Sequence, residues 1–364
     1  MLRTVVTGPL WWLVMLLTLV VARPDSLSDK EKLDTTGTLC NGHALLCDKP
    51  FNLITLPATH ASHAVRKDEN SIGTQDKDIQ TQLSDGIRGF TLDIHPAPSS
   101  TSTPQLCFLS CDINDGGSLA DTLTIFHDFL NDNVNDIIVI VVSNPGGVSA
   151  SNIAKAFTSV GLDKFAYTDG PDLGDWPTAS DIISTDKRLV VFGDKSVGTL
   201  PSWMLNKETI TQYTKLVVPS TDAWPMSREN WKDGKIPFFI TYHVRWVNAT
   251  VDGKTMAVPY GGMAAHTNDW DLVSHTVKVR NNNFVWPSLI VADFYDQGQL
   301  IDTALRFNSL PVPGDQVDYY YPDNMSTKSL LTSSASSLSA LTASGWLSLA
   351  IAALFLCSYD VFRI

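Results

Sequence analysis

"IRGFTLDIHPAPSSTSTPQLCFLSCDINDGG", residues 87–117, decides how the chain folds. An apolar, β-branched run closes on Asp93, and a second short run closes between Cys107 and Cys111. Asp93 and His95 are two residues apart, so they share one face of an extended strand. Arg88, at the start of the run, suits either a buried salt bridge or an anionic ligand.

Runs of the same kind recur on both sides. They are "FNLITLPATH" (51–60), "DIIVIVVSN" (136–144), "RLVVFGDK" (188–195), "TKLVVPS" (214–220), "PFFITYHVRW" (237–246) and "SLIVADFYD" (288–296). Helical patterns lie between several of them. "SLADTLTIFHDFLNDN" (118–133) puts Leu119, Leu123, Phe126 and Leu130 on one face, with Ser118 as N-cap. "SASNIAKAFTSVGL" (149–162) stops at Gly161. Near-continuous apolar strands alternating with helices predict a parallel sheet covered on both faces. No Gly-rich phosphate loop follows the first strand, so a TIM-type (β/α) barrel is expected rather than a doubly wound sheet. In such a barrel the polar residues at strand C-termini converge on one mouth.

The ends and the cysteines speak to compartment. Arg3, an apolar run over 10–21 and "VVA" before Arg23-Pro24 predict a signal peptide over 1–22. The body then runs over 23–323 as a single barrel, followed by a Ser/Thr-rich linker at 324–337 and a hydrophobic tail at 338–364. That tail fits a GPI signal, with a membrane helix as the alternative. Cys40 with Cys47 and Cys107 with Cys111 form two close pairs, which predicts two local disulfides in an oxidising compartment. Asn248 and Asn324 head glycosylation sequons, the first expected in a loop. The chain should therefore follow the secretory route and be held by its tail at the extracellular face of the plasma membrane. A net charge of -12 excludes nucleic acid as a partner and requires a local cation for any anionic ligand. A monomer is expected.

"THASHA" (59–64), "QLSDGIRGFTLDIH" (82–95), "LCFLSC" (106–111), "GGSLADTLTIFHDFLNDNVNDIIVIVVSN" (116–144) and "VADFYDQG" (291–298) together resemble the phosphatidylinositol-specific phospholipase C X-domain superfamily, in its secreted branch. The resemblance spans roughly residues 40–308. It implies a TIM-type barrel and cleavage of a phosphodiester by a substrate hydroxyl, with one His as base and another as acid. His60 matches the base, and Asp93 the acidic residue ending the second strand.

Three positions depart from that pattern. Ala61 stands where the family carries Asn or Asp, and Phe108 stands where it carries the second His. Ser143-Asn144 stands where metal-using relatives carry an acid. The positions expected to bind calcium are thus not filled, and no cofactor is expected. Losing a general acid costs ~10²–10⁴-fold in rate. His95 is the substitute expected, its pKa raised by Asp93, with His63 a weaker one; Lys195 and Arg245 would supply positive charge. The resemblance therefore implies a phosphoric diester hydrolase with altered acid catalysis, acting on a (glyco)phospholipid. The alternative is an inactive surface protein that binds an inositol phosphate or glycan. Ionisable groups straddling a phosphate-sized gap would favour the first, and an aromatic plug over His60 the second.

Overall fold

The computed structural model describes residues 38–313, apart from 69–70, 170–175, 217, 230–236 and 252. The expected leader, linker, hydrophobic tail and Asn324 lie outside these residues. Among the described residues no helix is long and apolar enough to cross a membrane.

Eight parallel strands curl into a barrel-like sheet. They are β1 (Leu56–Thr59), β2 (Gly89–Ala97), β3 (Ile138–Ser143), β4 (Leu189–Gly193), β5 (Leu205–Asn206), β6 (Thr211–Tyr213), β7 (Phe238–His243) and β8 (Leu289–Ala292). The hydrogen-bonded order is β5-β4-β3-β2-β1-β8-β7-β6, so chain order is kept around the curl and a seam lies between β5 and β6. The register sets Thr59 opposite Ala292 and Asp93 opposite Ser143.

The strands are buried on both faces, as their unbroken apolar runs require. One alternating set, including Ala58, Val139, Val141, Val190, Phe192, Phe238, Ile240, Leu289 and Val291, packs together inside the curl. The other set, including Phe90, Leu92, Ile138, Ile140, Val142 and Val191, packs with Leu119, Leu123, Phe126 and Leu130 of helix Leu119–Asp132. That is the predicted helix face, although the Ser118 hydroxyl makes no capping bond. Helix Ala150–Ser159 ends before Gly161, whose φ of 77° is the left-handed stop expected there. Gly89 faces the interior where a Cβ would sit 2.5 Å from that of Ala58, so only glycine lets β1 and β2 approach this closely.

Two local readings need correction. "TKLVVPS" is not a barrel strand; that place is taken by β6, three residues earlier. The selecting contact is burial of the polar Thr211 and Gln212 side chains, which an apolar-run criterion passes over. "PFFITYHVRW" divides after His243. Its second part belongs to strand Arg245–Val251, which pairs with Lys254–Pro259 and Val218–Pro219 in a separate three-stranded sheet. Asn248 is therefore exposed on a hairpin strand rather than in a loop.

Both disulfides form as paired in the sequence, Cys40–Cys47 and Cys107–Cys111. The second closes the end of strand Ser100–Phe108, which pairs antiparallel with β2 and with Asn114–Ser118. This hairpin rises from the end of β2 and carries Phe108 to the barrel mouth.

Candidate functional site

Alternation along the strands selects the site. In each strand the side chain one step beyond the last interior apolar residue keeps interior parity and meets the mouth. His60 follows Ala58, Asp93 follows Gly89 and Thr91, and Ser143 follows Val141. Asp194 follows Phe192, Lys207 follows Leu205, Tyr242 follows Ile240, and Asp293 follows Val291.

The contacts agree with this layer. His60 Nδ1 lies 2.8 Å from Asp293 Oδ1, with both side chains buried. The His60 backbone N–H donates to the Ala292 carbonyl, and its own carbonyl accepts from Gln75 Nε2 at 2.9 Å. Ser143 Oγ donates to Asp194 Oδ2 at 2.8 Å. Lys207 Nζ lies 4.4 Å from the Tyr213 ring centroid and 5.6 Å from that of Tyr242.

Charge is unevenly held here. Burial disfavours the His60 imidazolium, yet the Asp293 carboxylate outweighs burial and, with help from Asp93, raises the imidazole above its ordinary value. Burial pushes the Asp293 carboxyl up, against the pull of His60. Burial, reinforced by Asp194, pushes the Asp93 carboxyl up against His60 and Lys207. Asp93 and His60 thus sense one another across the mouth. Asp293 Oδ2 is buried without a hydrogen-bond partner, so the dyad is a single bond rather than a network.

An aromatic wall stands beside this pair. The Phe108 ring meets His60 edge-on at 6.1 Å between centroids, and Trp246 lies 6.2 Å from His60 and 5.8 Å from Phe108. The three rings form a triangle that leaves His60 only 6% exposed. Ala61 sits at a φ of 37°, a left-handed position unfavourable to a Cβ, and its N–H is held by Thr91 Oγ1 at 2.7 Å.

Of the remaining sequence candidates, the three cations sit elsewhere or are otherwise engaged, and His95 and His63 stay near the mouth. Arg88 has exterior parity at the N-terminal end of β2, opposite the mouth; it pairs with Asp136 at 2.8 Å and lies over Phe129. Its position matches the salt-bridge reading and removes it from the substrate side. Lys195 is exposed at the start of a short 3-10 helix, Lys195–Val197, beyond β4. Arg245 Nη1 donates to the carbonyls of Pro219, Ser220 and Asp222, and its guanidinium covers Trp224 at 4.0 Å. His95 is half-buried, and burial lowers its imidazole instead of Asp93 raising it. His63 is buried with neither ring nitrogen in a well-formed hydrogen bond, and burial drops it to about 3.

Two mouth residues that bear on the chemistry, Asp293 and Lys207, are absent from the sequence candidates. Asp293 was visible as a strand end, but its pairing with His60 depends on β1 lying beside β8. Lys207 follows a strand of only two residues, too short for an apolar run to announce. Parity beyond Leu205 and Val291 was the available signal for both.

The donor set does not suit calcium. Ala61 offers no ligand, the Ser143 hydroxyl is committed to Asp194, and the Asn144 side chain is committed to Val148 and Ser196. Among the described residues no group of three His, Cys, Asp or Glu side chains is arranged around a metal position.

Comparison with known proteins agrees with this architecture. The family profile PI-PLC X 1 matches residues 46–308. A protein of Arthroderma benhamiae named PI-PLC X domain-containing protein 1 is 30% identical over 289 residues, covering 75% of this chain and 90% of its own length. An uncharacterized secreted protein of the same fungus is 28% identical, covering 79% of this chain and 68% of its own. Among solved structures, the phosphatidylinositol-specific phospholipase C from Listeria monocytogenes superposes with a TM-score of 0.50 at 15% identity, covering 72% of this chain and 96% of that one. At that identity the likeness concerns the fold. With its curled parallel sheet, its strand-end mouth and a profile match across most of its length, the chain belongs to the PI-PLC X family.

Proposed function

We propose that the protein is a phosphoric diester hydrolase of the phospholipase C kind, acting slowly on phosphatidylinositol or a glycan-inositol phospholipid. One observation carries this reading: the His60–Asp293 contact at 2.8 Å. An imidazole whose Nδ1–H donates to a buried carboxylate presents the Nε2 lone pair, which is what a base needs to take a proton from an inositol hydroxyl. The hydroxyl oxygen then bonds to phosphorus as the bond to the leaving alkoxide breaks. Phe108 occupies the place of a donating imidazole and cannot protonate that alkoxide. Asp93, with its carboxyl pushed up by burial, is a candidate donor that the mouth retains. The reaction is metal-independent on this reading. The monomeric enzyme would work on the extracellular face of the membrane, held by its C-terminal tail; the sequence of that tail, the two disulfides and a relative named as secreted support this.

The Phe108–Trp246 wall favours a second reading, a catalytically inactive protein that retains the mouth to bind an inositol phosphate or glycan. The deciding assay offers phosphatidylinositol and lysophospholipids to the secreted body, with and without calcium, beside a His60→Ala control. Calcium-independent release of water-soluble phosphate ester, lost in the control, supports hydrolysis. Absence of release under every condition transfers the argument to the binder.

A further inference from the structure

The mouth that would receive a phosphate is lined by carboxylates. Asp93, Asp194 and Asp293 all carry interior parity; with Asp93 holding its proton, an anionic ester still cannot settle beside the other two without a cation. The cations suggested by the sequence do not serve. Lys195 is exposed beyond β4, Arg245 is spent on three backbone carbonyls, and Arg88 closes the other end of the sheet.

Lys207 meets the requirement by position. It is the residue next after β5 and opens the short helix Lys207–Ile210, which spans the seam to β6. Its side chain keeps the interior parity of Leu205. Its ammonium lies against Tyr213, at the end of β6, and Tyr242, near the end of β7, and it interacts electrostatically with Asp194 and Asp93. Side chains from four other strand ends therefore act on one ammonium at the point where the backbone ladder is missing.

We propose that Lys207 is the phosphate-binding cation of this mouth, taking the charge-neutralising part that a metal ion or an arginine would otherwise play. The inference rests on the phosphodiester-binding reading above and adds its anion-recognition residue. The Tyr213 ring and the Tyr242 side chain hold the ammonium, and the pull of Asp194 keeps it charged where an incoming oxyanion would meet it. Burial alone would lower this ammonium, but Tyr242, Tyr213 and Asp194 outweigh it and the group is raised, which keeps it charged at neutral pH. A lysine presents a point charge with three rotatable donors and suits a phosphate that changes shape during attack.

The test measures binding, so that it is separate from turnover. Calorimetry compares myo-inositol 1-phosphate with uncharged myo-inositol on the wild-type body and on Lys207→Met, Lys207→Gln and Lys207→Arg. Loss of one charged contact should weaken the phosphate ester by ~10- to 100-fold in the Met and Gln variants. The Arg variant should stay within a few-fold, and myo-inositol binding should not change. Should Lys207→Met fail to fold, Lys207→Gln carries the comparison, because it retains a hydrogen-bonding head without the charge. Equal affinity of wild type and the neutral variants for the phosphate ester overturns the lysine assignment and leaves the phosphodiesterase reading intact. A wild type that neither binds the ester nor cleaves phosphatidylinositol removes both.

Discussion

His60 Nδ1 and Asp293 Oδ1 stand 2.8 Å apart although 233 residues of chain separate them. The sheet makes them neighbours. β1 and β8 pair with Thr59 opposite Ala292, so the next residue on each strand falls at the same height of the mouth. The contact fixes which imidazole nitrogen is free, and it is the part of the site most sensitive to a single atom.

Replacing Asp293 by Asn keeps the shape and removes the charge. Turnover of phosphatidylinositol should fall by ~10²–10⁴-fold, the range associated with loss of an oriented base. The His60 titration followed by NMR should shift downward, because the group that raises it is gone. Unchanged turnover would show that His60 is not the base.

Stability and activity should run in opposite directions with pH. The folded imidazole of His60 is raised above its unfolded value of 6.5, so it binds its proton more tightly in the folded state. That contribution is complete below 6.5 and is lost as pH climbs through the folded value. Asp293, also raised from 3.8, adds a loss of the same sign as pH rises through its own folded value. A base works only when unprotonated, so turnover should rise across the window in which the His60 contribution to stability falls. Denaturant unfolding and initial rates measured over about pH 6 to 8 test this. A His60→Asn protein with the same stability slope would assign the effect elsewhere.

Phe108→His would place a proton donor beside the mouth. Faster turnover is expected, up to the ~10²-fold lower end of general-acid contributions. It should come with a loss of ~1–3 kcal/mol in stability, since Phe108 is only 2% exposed and clusters with Ala61 and Ala64, where an imidazole finds few partners. No gain in rate in a folded variant would count against the alignment of this slot with an acid.

Arg88→Met tests the opposite end of the sheet. The Arg88–Asp136 pair is mostly buried, with both side chains at 15% and 13% exposure. Breaking it should cost ~1–3 kcal/mol, less than for a fully desolvated pair. Binding of inositol phosphate should not change. Weakened binding at unchanged stability would return Arg88 to the substrate side.

Much of this fold is legible in the sequence because β3, β4 and β8 are nearly unbroken apolar runs, β7 is interrupted only by Thr241 before His243, and β2 carries an acid near its end. Thr211–Tyr213 is not legible in that way: its buried Thr and Gln take their place through tertiary packing, while the more apolar Val217-Val218 nearby attracts the assignment. His60 and Asp93 can be placed from strand ends alone. Asp293 and Lys207 require knowing which strands adjoin and which parity each side chain keeps, information held in the register. Lys195 and Arg245 looked suitable because charge near a strand end resembles a site when exposure and backbone carbonyls are not yet visible.

Ala61, Ala64 and Phe108 form one small hydrocarbon cluster at the edge of the mouth. The two positions at which the family resemblance leads one to expect polar groups, Ala61 and Phe108, are thus packing neighbours. A polar group placed at either position alone would face methyl and phenyl surface. The two exchanges should therefore be epistatic: Ala61→Asp combined with Phe108→His should be tolerated better than the sum of the single exchanges. Introducing the two groups one at a time, in either order, would pass through one poorly solvated single variant.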